Sequence, residues 1–265
     1  MKKRVVIICP NPESYITTSV CELLIRRDIR IDAVIVKRFT LKRFLDEFSR
    51  DGARLIKKIW RKLILKSLAY EQNDYENIIY FRSKLDIRLK NVKQLVKFNT
   101  EIMNVANINS KDVENLLTKL RPDLVVFTGG GIIKENILNV SGQGVVNCHM
   151  GILPMYRGMD VIEWPILNED WKNIGLTVHF MERGVDTGDI LKIHYIPLKK
   201  NDNIKSVRSR FEPIMVEQLV NVIDDYLDKK IVPKKQSMDD GKQFFVMSDK
   251  LVDIAESKLV NYKVN

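Results

Sequence analysis

The sequence predicts an α/β fold with a mostly parallel central sheet and helices on both faces. Two unbroken, β-branched apolar runs, residues 5–9 and 124–128, are typical of strands buried in the middle of such a sheet. A helical stretch and another strand follow the first run, so the chain opens as a β-α-β unit. With 265 residues, 45% of them apolar, the chain suits one globular domain.

The remaining elements follow from apolar periodicity and from residues that begin or end helices. Ser110 is a candidate helix cap, and Pro122 stops the helix that follows it. The run ending at Thr128 leads into three consecutive glycines and a short helix. The expected bounds are strand 5–9, a helix to about 27, strands 31–36 and 101–105, helix 110–120, strand 124–128, helix 134–138, strands 144–147, 175–181 and 190–197, and helix 203–226.

Positive charge is concentrated at the start of the chain. The net charge is +10, and residues 1–100 hold 23 Lys and Arg against 11 Asp and Glu. Residues 40–66 read as a basic amphipathic helix within an insertion of about residues 40–98. A solvated helical face is the favoured interpretation. A peripheral membrane contact, a homodimer contact and a nucleic-acid patch remain alternatives.

Composition limits the setting of the protein. No apolar run approaches the roughly 20 residues that a membrane-spanning helix requires. The three cysteines, Cys9, Cys21 and Cys148, are scattered through apolar sequence without metal-ligand spacing. We therefore expect reduced thiols, no metal site and a cytoplasmic location. Residues 1–230 form the expected main domain, and residues 231–265 form a short C-terminal extension.

Two polar motifs lie where ligands are expected in an open parallel sheet, at the carboxyl ends of strands. Asn147 and His149 are two residues apart on a terminating strand, so their side chains face the same way. Asp186 lies in a glycine-flanked turn between two later strands. An amide can donate to an oxyanion, and an imidazole beside a carboxylate can stabilise charge or move a proton. These three residues therefore suit acyl transfer to an amine without a covalent nucleophile.

The same motifs carry a family resemblance. Asn147-Cys148-His149-Met150-Gly151-Ile152-Leu153-Pro154, then Arg157-Gly158, then Gly184-Val185-Asp186-Thr187-Gly188 resemble the folate-dependent formyltransferases over about residues 125–191. The resemblance implies a Rossmann-like domain and 10-formyltetrahydrofolate as co-substrate. It also implies catalytic roles for Asn147, His149 and Asp186.

Further site residues follow from the resemblance. The pterin is expected between the loop after the glycine strand and the loop of Asp186, which nominates Gly129, Gly130, Gly131, Ile132, Val185 and Thr187. Asn11, Tyr156 and Arg157 are candidate substrate contacts, although the last two can equally pin the loop below Pro154. Gly151 replaces a serine that is frequent in the family. We interpret His179 and His194 as structural.

The acceptor amine is expected to be a nucleotide-linked amino sugar of surface polysaccharide synthesis. The first strand-to-helix turn, residues 10–14, lacks the glycines that would cradle the phosphate of glycinamide ribonucleotide. Methionyl-tRNA enzymes of the family carry a further C-terminal domain that is not evident here, so nucleic acid is a less expected partner. Both substrates stay as alternatives. A non-catalytic folate-binding or RNA-binding protein is the alternative of another class.

Overall fold

The computed structural model describes residues 3–38 and 82–262. The predicted α/β fold is confirmed: seven strands form one sheet in the order β3-β2-β1-β4-β5-β7-β8, and of these only β7 runs antiparallel to the others. The sheet strands are β1 Arg4–Cys9, β2 Arg30–Lys37, β3 Glu101–Val105, β4 Leu124–Phe127, β5 Val145–His149, β7 Gly175–Met181 and β8 Ile190–Tyr195.

Besides a helical turn at residues 82–85, six α-helices lie within residues 3–38 and 82–262. They are α1 Tyr15–Arg26, α2 Lys111–Leu120, α3 Glu135–Leu138, α4 Glu163–Leu167, α5 Ile204–Leu227 and α6 Asp249–Asn261. Ser14 caps α1, where its hydroxyl oxygen accepts from the Thr17 amide at 3.3 Å. Ser110 is the N-cap residue of α2, but its side chain makes no capping hydrogen bond.

Alternation along β1 distributes its side chains between two cores. Val5 and Ile7 belong to the core that contains α1 and α5, whereas Val6 and Ile8 belong to the core that contains α2 and α3. All four side chains are fully buried. Burial on both faces explains why the run is apolar without interruption, as expected for a central parallel strand.

The antiparallel pairing of β5 with β7 aligns the polar residues of the two strands. Asn147 lies opposite His179, and His149 lies opposite Thr177. The chain then leaves β7 and turns through Asp186 before β8 begins at Ile190. Because Met181 lies opposite Val145, the β7–β8 turn starts beside the amino end of β5, and it folds back so that Asp186 contacts His149.

The expected C-terminal extension folds back against β6, α4 and the start of β8. Strand β9 Lys242–Phe244 pairs in parallel with β6 Tyr156–Gly158, and α6 packs against α4. Lys234 also pairs with Ile190 at the start of β8. The division at residue 230 stays a prediction.

Most of the expected basic insertion, including all of residues 40–66, lies outside the described residues. Lys37 and Arg38 immediately precede it, and residues 82–98 end it with a 3-10 helix, Val92–Phe98. Among the helices that the structure describes, none combines the length and the apolar character needed to cross a membrane.

Candidate active site

His149 is the centre of a polar cluster at the end of β5. Its Nδ1 atom lies 3.4 Å from Oδ2 of Asp186, and its Nε2 atom lies 2.8 Å from the carbonyl oxygen of Tyr156. Because a carbonyl oxygen can only accept, Nε2 carries the proton in that contact. The other nitrogen, Nδ1, faces a carboxylate oxygen, which would stabilise a proton placed there. The side chain is only 7% exposed, so little water competes with these partners.

Asp186 is fixed at both its side chain and its backbone. Its Oδ2 atom accepts a hydrogen bond from the Gly158 amide at 2.9 Å. Its φ angle of 54° lies in the left-handed region, which Asp tolerates better than most residues. In this conformation the carboxylate faces His149.

Asn147 completes the predicted trio, because β5 presents it on the same face as His149. Its Nδ2 atom lies 3.5 Å from Nε2 of His179. That nitrogen is in turn 3.6 Å from Oδ1 of Asp186. The structure thus brings Asn147, His149 and Asp186 into one cluster, with His179 between Asn147 and Asp186.

His179 is a cluster member that the sequence interpretation missed. It is 1% exposed, and its Nδ1–H donates to the Phe180 carbonyl at 2.7 Å. Burial and the charge of His149 lower its pKa to about 4, although Asp186 acts in the opposite direction. The ring is therefore neutral near pH 7, and its Nε2 lone pair faces the Asn147 amide. Only the β5–β7 register reveals this position.

The cluster contains no activated thiol. Cys148 lies between Asn147 and His149 in sequence, but its side chain points into the opposite core. Burial raises the pKa of this thiol far above its ordinary value, so the reactive thiolate is not formed near neutral pH. The arrangement therefore suits direct transfer, with no intermediate on sulfur.

Gly151 is required by the packing around His149. A Cβ atom built there would lie 2.9 Å from each of three atoms: His149 Nε2, the Tyr156 carbonyl oxygen and Val161 Cβ. Two of these atoms form the hydrogen bond that orients the imidazole. The departure from the frequent serine therefore has a steric explanation in this chain.

The residues predicted to hold the cofactor lie on two loops. Gly129, Gly130 and Gly131 all have positive φ angles, between 115° and 128°. Ile132 is 81% exposed on the first loop and Val185 is 42% exposed on the second. Thr187 is half-buried, and its hydroxyl donates to the Arg183 carbonyl within the turn. Each loop thus offers an exposed aliphatic side chain. Their roles in binding stay predictions.

The three predicted substrate contacts have different surroundings. Asn11 is exposed at the carboxyl end of β1, where its Oδ1 atom accepts from the Glu13 amide at 3.0 Å. Tyr156 is 5% exposed, and its hydroxyl donates to Asp170 at 2.9 Å. Arg157 is 7% exposed and donates to the Gly241 carbonyl at 3.3 Å. For Tyr156 and Arg157 these contacts fit the loop-pinning interpretation. Direct substrate contact stays a prediction for all three.

Sequence comparison connects this geometry to known proteins. A family model described as "Formyl transferase" matches residues 64–223. A methionyl-tRNA formyltransferase from Finegoldia magna is 36% identical over 136 residues, which cover 51% of this chain and 43% of that protein. Similar matches to other methionyl-tRNA formyltransferases cover 39% to 51% of their lengths. The chain thus matches about half or less of these relatives.

Solved structures share the fold at low identity. A sugar N-formyltransferase from a Shewanella species superposes with a TM-score of 0.59 and 15% identity, covering 98% of this chain and 88% of that one. An N-formyltransferase from Helicobacter canadensis, in complex with folinic acid and dTDP-3-aminofucose, gives a TM-score of 0.57 and 14% identity. That match covers 99% of this chain and 81% of the other.

Proposed function

The chain belongs to the formyl transferase family, and we propose that it moves a formyl group from 10-formyltetrahydrofolate to a primary amine. The observation that carries the proposal is the contact of His149 with both Asp186 and the Tyr156 carbonyl, beside the amide of Asn147. The absence of a thiolate in this cluster supports direct attack by the amine.

Each residue of the cluster has a distinct proposed role. Asn147 donates a hydrogen bond from its amide to the formyl oxygen as negative charge develops there. His149 lies on the same face of β5 as Asn147, with its Nδ1 atom 3.4 Å from Asp186 Oδ2. The attacking amine must lose a proton; Nδ1 of the neutral His149 ring receives it, and the Asp186 carboxylate stabilises the cation that forms.

The two candidate cofactor loops are compatible with a folate. When bound, 10-formyltetrahydrofolate supplies the formyl carbon that the amine attacks. The exposed side chains of Ile132 and Val185 give each loop an apolar surface for a flat, partly apolar ring. The glycines at 129–131 leave the first loop without side chains over its backbone. Folinic acid in the similar Helicobacter canadensis enzyme supports the same class of donor.

For the acceptor we propose a nucleotide-linked amino sugar. In the first turn, the Glu13 amide donates to Asn11 Oδ1 and the Thr17 amide donates to Ser14 Oγ, so side chains already occupy these N–H groups. A phosphate cradle of the glycinamide ribonucleotide type is therefore not favoured at α1. The Lys37 ammonium lies beside Gly131, 3.1 Å from where a Cβ would be, and suits a diphosphate. The sugar substrate printed for the Helicobacter canadensis enzyme supports this choice.

The experiment is a tetrahydrofolate-release assay with 10-formyltetrahydrofolate and a panel of acceptors. The panel contains dTDP-, UDP- and GDP-linked amino sugars, glycinamide ribonucleotide and methionyl-tRNA. We expect turnover with an amino sugar. Turnover with methionyl-tRNA alone would retain formyl transfer and refute the acceptor assignment. If none of the acceptors in the panel gives tetrahydrofolate release, the proposal as stated is refuted.

Variants then test the cluster with the productive acceptor. His149→Ala is expected to lower kcat about 100- to 10,000-fold, as for the loss of a general acid or base. Asn147→Ala is expected to lower kcat about 100-fold or more. His194→Ala is the matched control, because His194 lies on β8 at the opposite end of the β7–β8 pair from Asp186. Equal kcat values for His149→Ala and the control would exclude His149 from the chemistry.

A further inference from the structure

Gln236, in the expected C-terminal extension, holds the turn that carries Asp186. Its Nε2 atom lies 2.9 Å from the Asp186 carbonyl oxygen and 2.6 Å from the Gly188 carbonyl oxygen. An amide nitrogen carries two hydrogens, so one side chain can donate to both carbonyls. These bonds fix the turn on each side of Thr187, where Asp186 has its left-handed backbone conformation.

The backbone beside Gln236 is fixed as well. The Lys234 amide donates to the Ile190 carbonyl at 2.8 Å, and the Ile190 amide donates to the Lys234 carbonyl at the same distance. This reciprocal pair anchors the extension against the first residue of β8, directly after the Asp186 turn. The approach of Gln236 to the turn is therefore set by main-chain contacts.

A second seam joins the extension to the partners of His149 and Asp186. β9 pairs with β6, whose Tyr156 carbonyl faces His149 and whose Gly158 amide donates to Asp186. The seam is too close for side chains at two positions. A Cβ atom at Gly158 would lie 2.1 Å from the Phe244 carbonyl oxygen, and one at Gly241 would lie 1.8 Å from the Pro154 carbonyl oxygen.

We propose that residues 234–244 form a strap that positions the catalytic pair, with Gln236 as the positioning residue for Asp186. The inference rests on the proposed roles of His149 and Asp186. Its physical basis is that the strap contacts the Asp186 turn at one end and β6 at the other. Gln236 touches no reacting atom and acts through the location of the Asp186 carboxylate.

Gln236→Met tests this role, because Met has a similar length and shape but no N–H donor. Displacement of a catalytic group by about 1 Å can cost about 100-fold, so we expect kcat to fall about 10- to 100-fold. The KM for the acceptor should change less than about twofold, whereas the KM for the donor should rise, because the turn that Gln236 holds also carries the candidate cofactor residues Val185 and Thr187. Gln243→Met is the matched control: the same substitution in the same strap, at an exposed side chain of β9.

Hydrogen–deuterium exchange of the peptide covering residues 184–190 provides a readout that needs no turnover. The strap predicts faster exchange there in Gln236→Met, and wild-type exchange in Gln243→Met. Unchanged exchange and unchanged kcat in Gln236→Met would overturn the inference. A fall in kcat matched by the loss of folded protein in thermal melts would also overturn it, because the role would then be structural only. Wild-type protein without formyl transfer would refute the proposed function, while the exchange data would still decide whether Gln236 holds the turn.

Discussion

Acidification is expected to destabilise the protein through His179, a buried residue whose neighbours His149 and Asp186 are also ionisable. Its pKa of about 4 lies well below the ordinary histidine value of 6.5. Between these two pH values the unfolded chain binds a proton that the native ring does not. The stability that the lowered pKa of His179 contributes is therefore fully present above about pH 6.5 and is lost as the pH falls toward about 4. Below about pH 4 both states carry the proton, and the decline ends.

The size of this loss follows from the two pKa values of His179. At about 1.4 kcal/mol per pH unit, the gap contributes about 3 kcal/mol between pH 7 and pH 4. His179→Gln removes the titrating ring and retains an amide that can donate and accept hydrogen bonds. Carboxylates elsewhere titrate in both proteins, so the difference between the two stability curves reports His179 together with its electrostatic interactions with His149 and Asp186.

The assay is equilibrium urea unfolding of wild type and His179→Gln at about one-unit pH intervals from about pH 7 to 4. We expect the wild type to lose about 3 kcal/mol more than the variant over this range. Parallel curves would mean that His179 has the same pKa in the native and unfolded states, contrary to the lowered native pKa. A larger loss in the variant would contradict the sign.

Three further substitutions separate catalysis from stability. Asp186→Asn keeps the side-chain shape but removes the charge beside His149, so kcat should fall about 100- to 10,000-fold in the release assay; a wild-type kcat would remove the carboxylate from the mechanism. Gly151→Ala should destabilise the protein by about 1–3 kcal/mol in urea unfolding through overpacking, and an unchanged unfolding midpoint would contradict the close contacts described here. Arg210→Met leaves the buried Asp202 carboxylate without its guanidinium, which lies 2.7 Å away, and should cost about 3–5 kcal/mol with little change in the kcat of the folded protein. A loss of less than about 1 kcal/mol would show that this pair is not buried as described.

The strands were predictable where a single physical demand fixed the residue type. β1 and β4 are covered on both faces, so they require consecutive apolar residues, and such runs can be recognised in the sequence. The strands at 101–105 and 175–181 have the expected bounds. The predicted cap, Ser110, does occupy the N-cap position of α2, but its side chain does not make the capping hydrogen bond that favours serine there.

The predicted cluster of Asn147, His149 and Asp186 was visible because its spacing follows a local rule. His179 was missed because its place depends on the register of an antiparallel pair, which no local pattern specifies. The strap was missed for a similar reason. β9 is three residues long and mostly polar, and its docking depends on close approach at Gly158 and Gly241, far apart in sequence.

We propose that the cluster around His149 transfers the formyl group directly to an amine. The most direct test uses 10-formyltetrahydrofolate labelled with ¹³C in the formyl group and the productive acceptor, followed by NMR. We predict that wild-type protein moves the label into an acceptor formamide and that His149→Ala leaves it on the folate. Label that accumulates as free formate, or that reaches the acceptor equally fast with His149→Ala, would contradict the account.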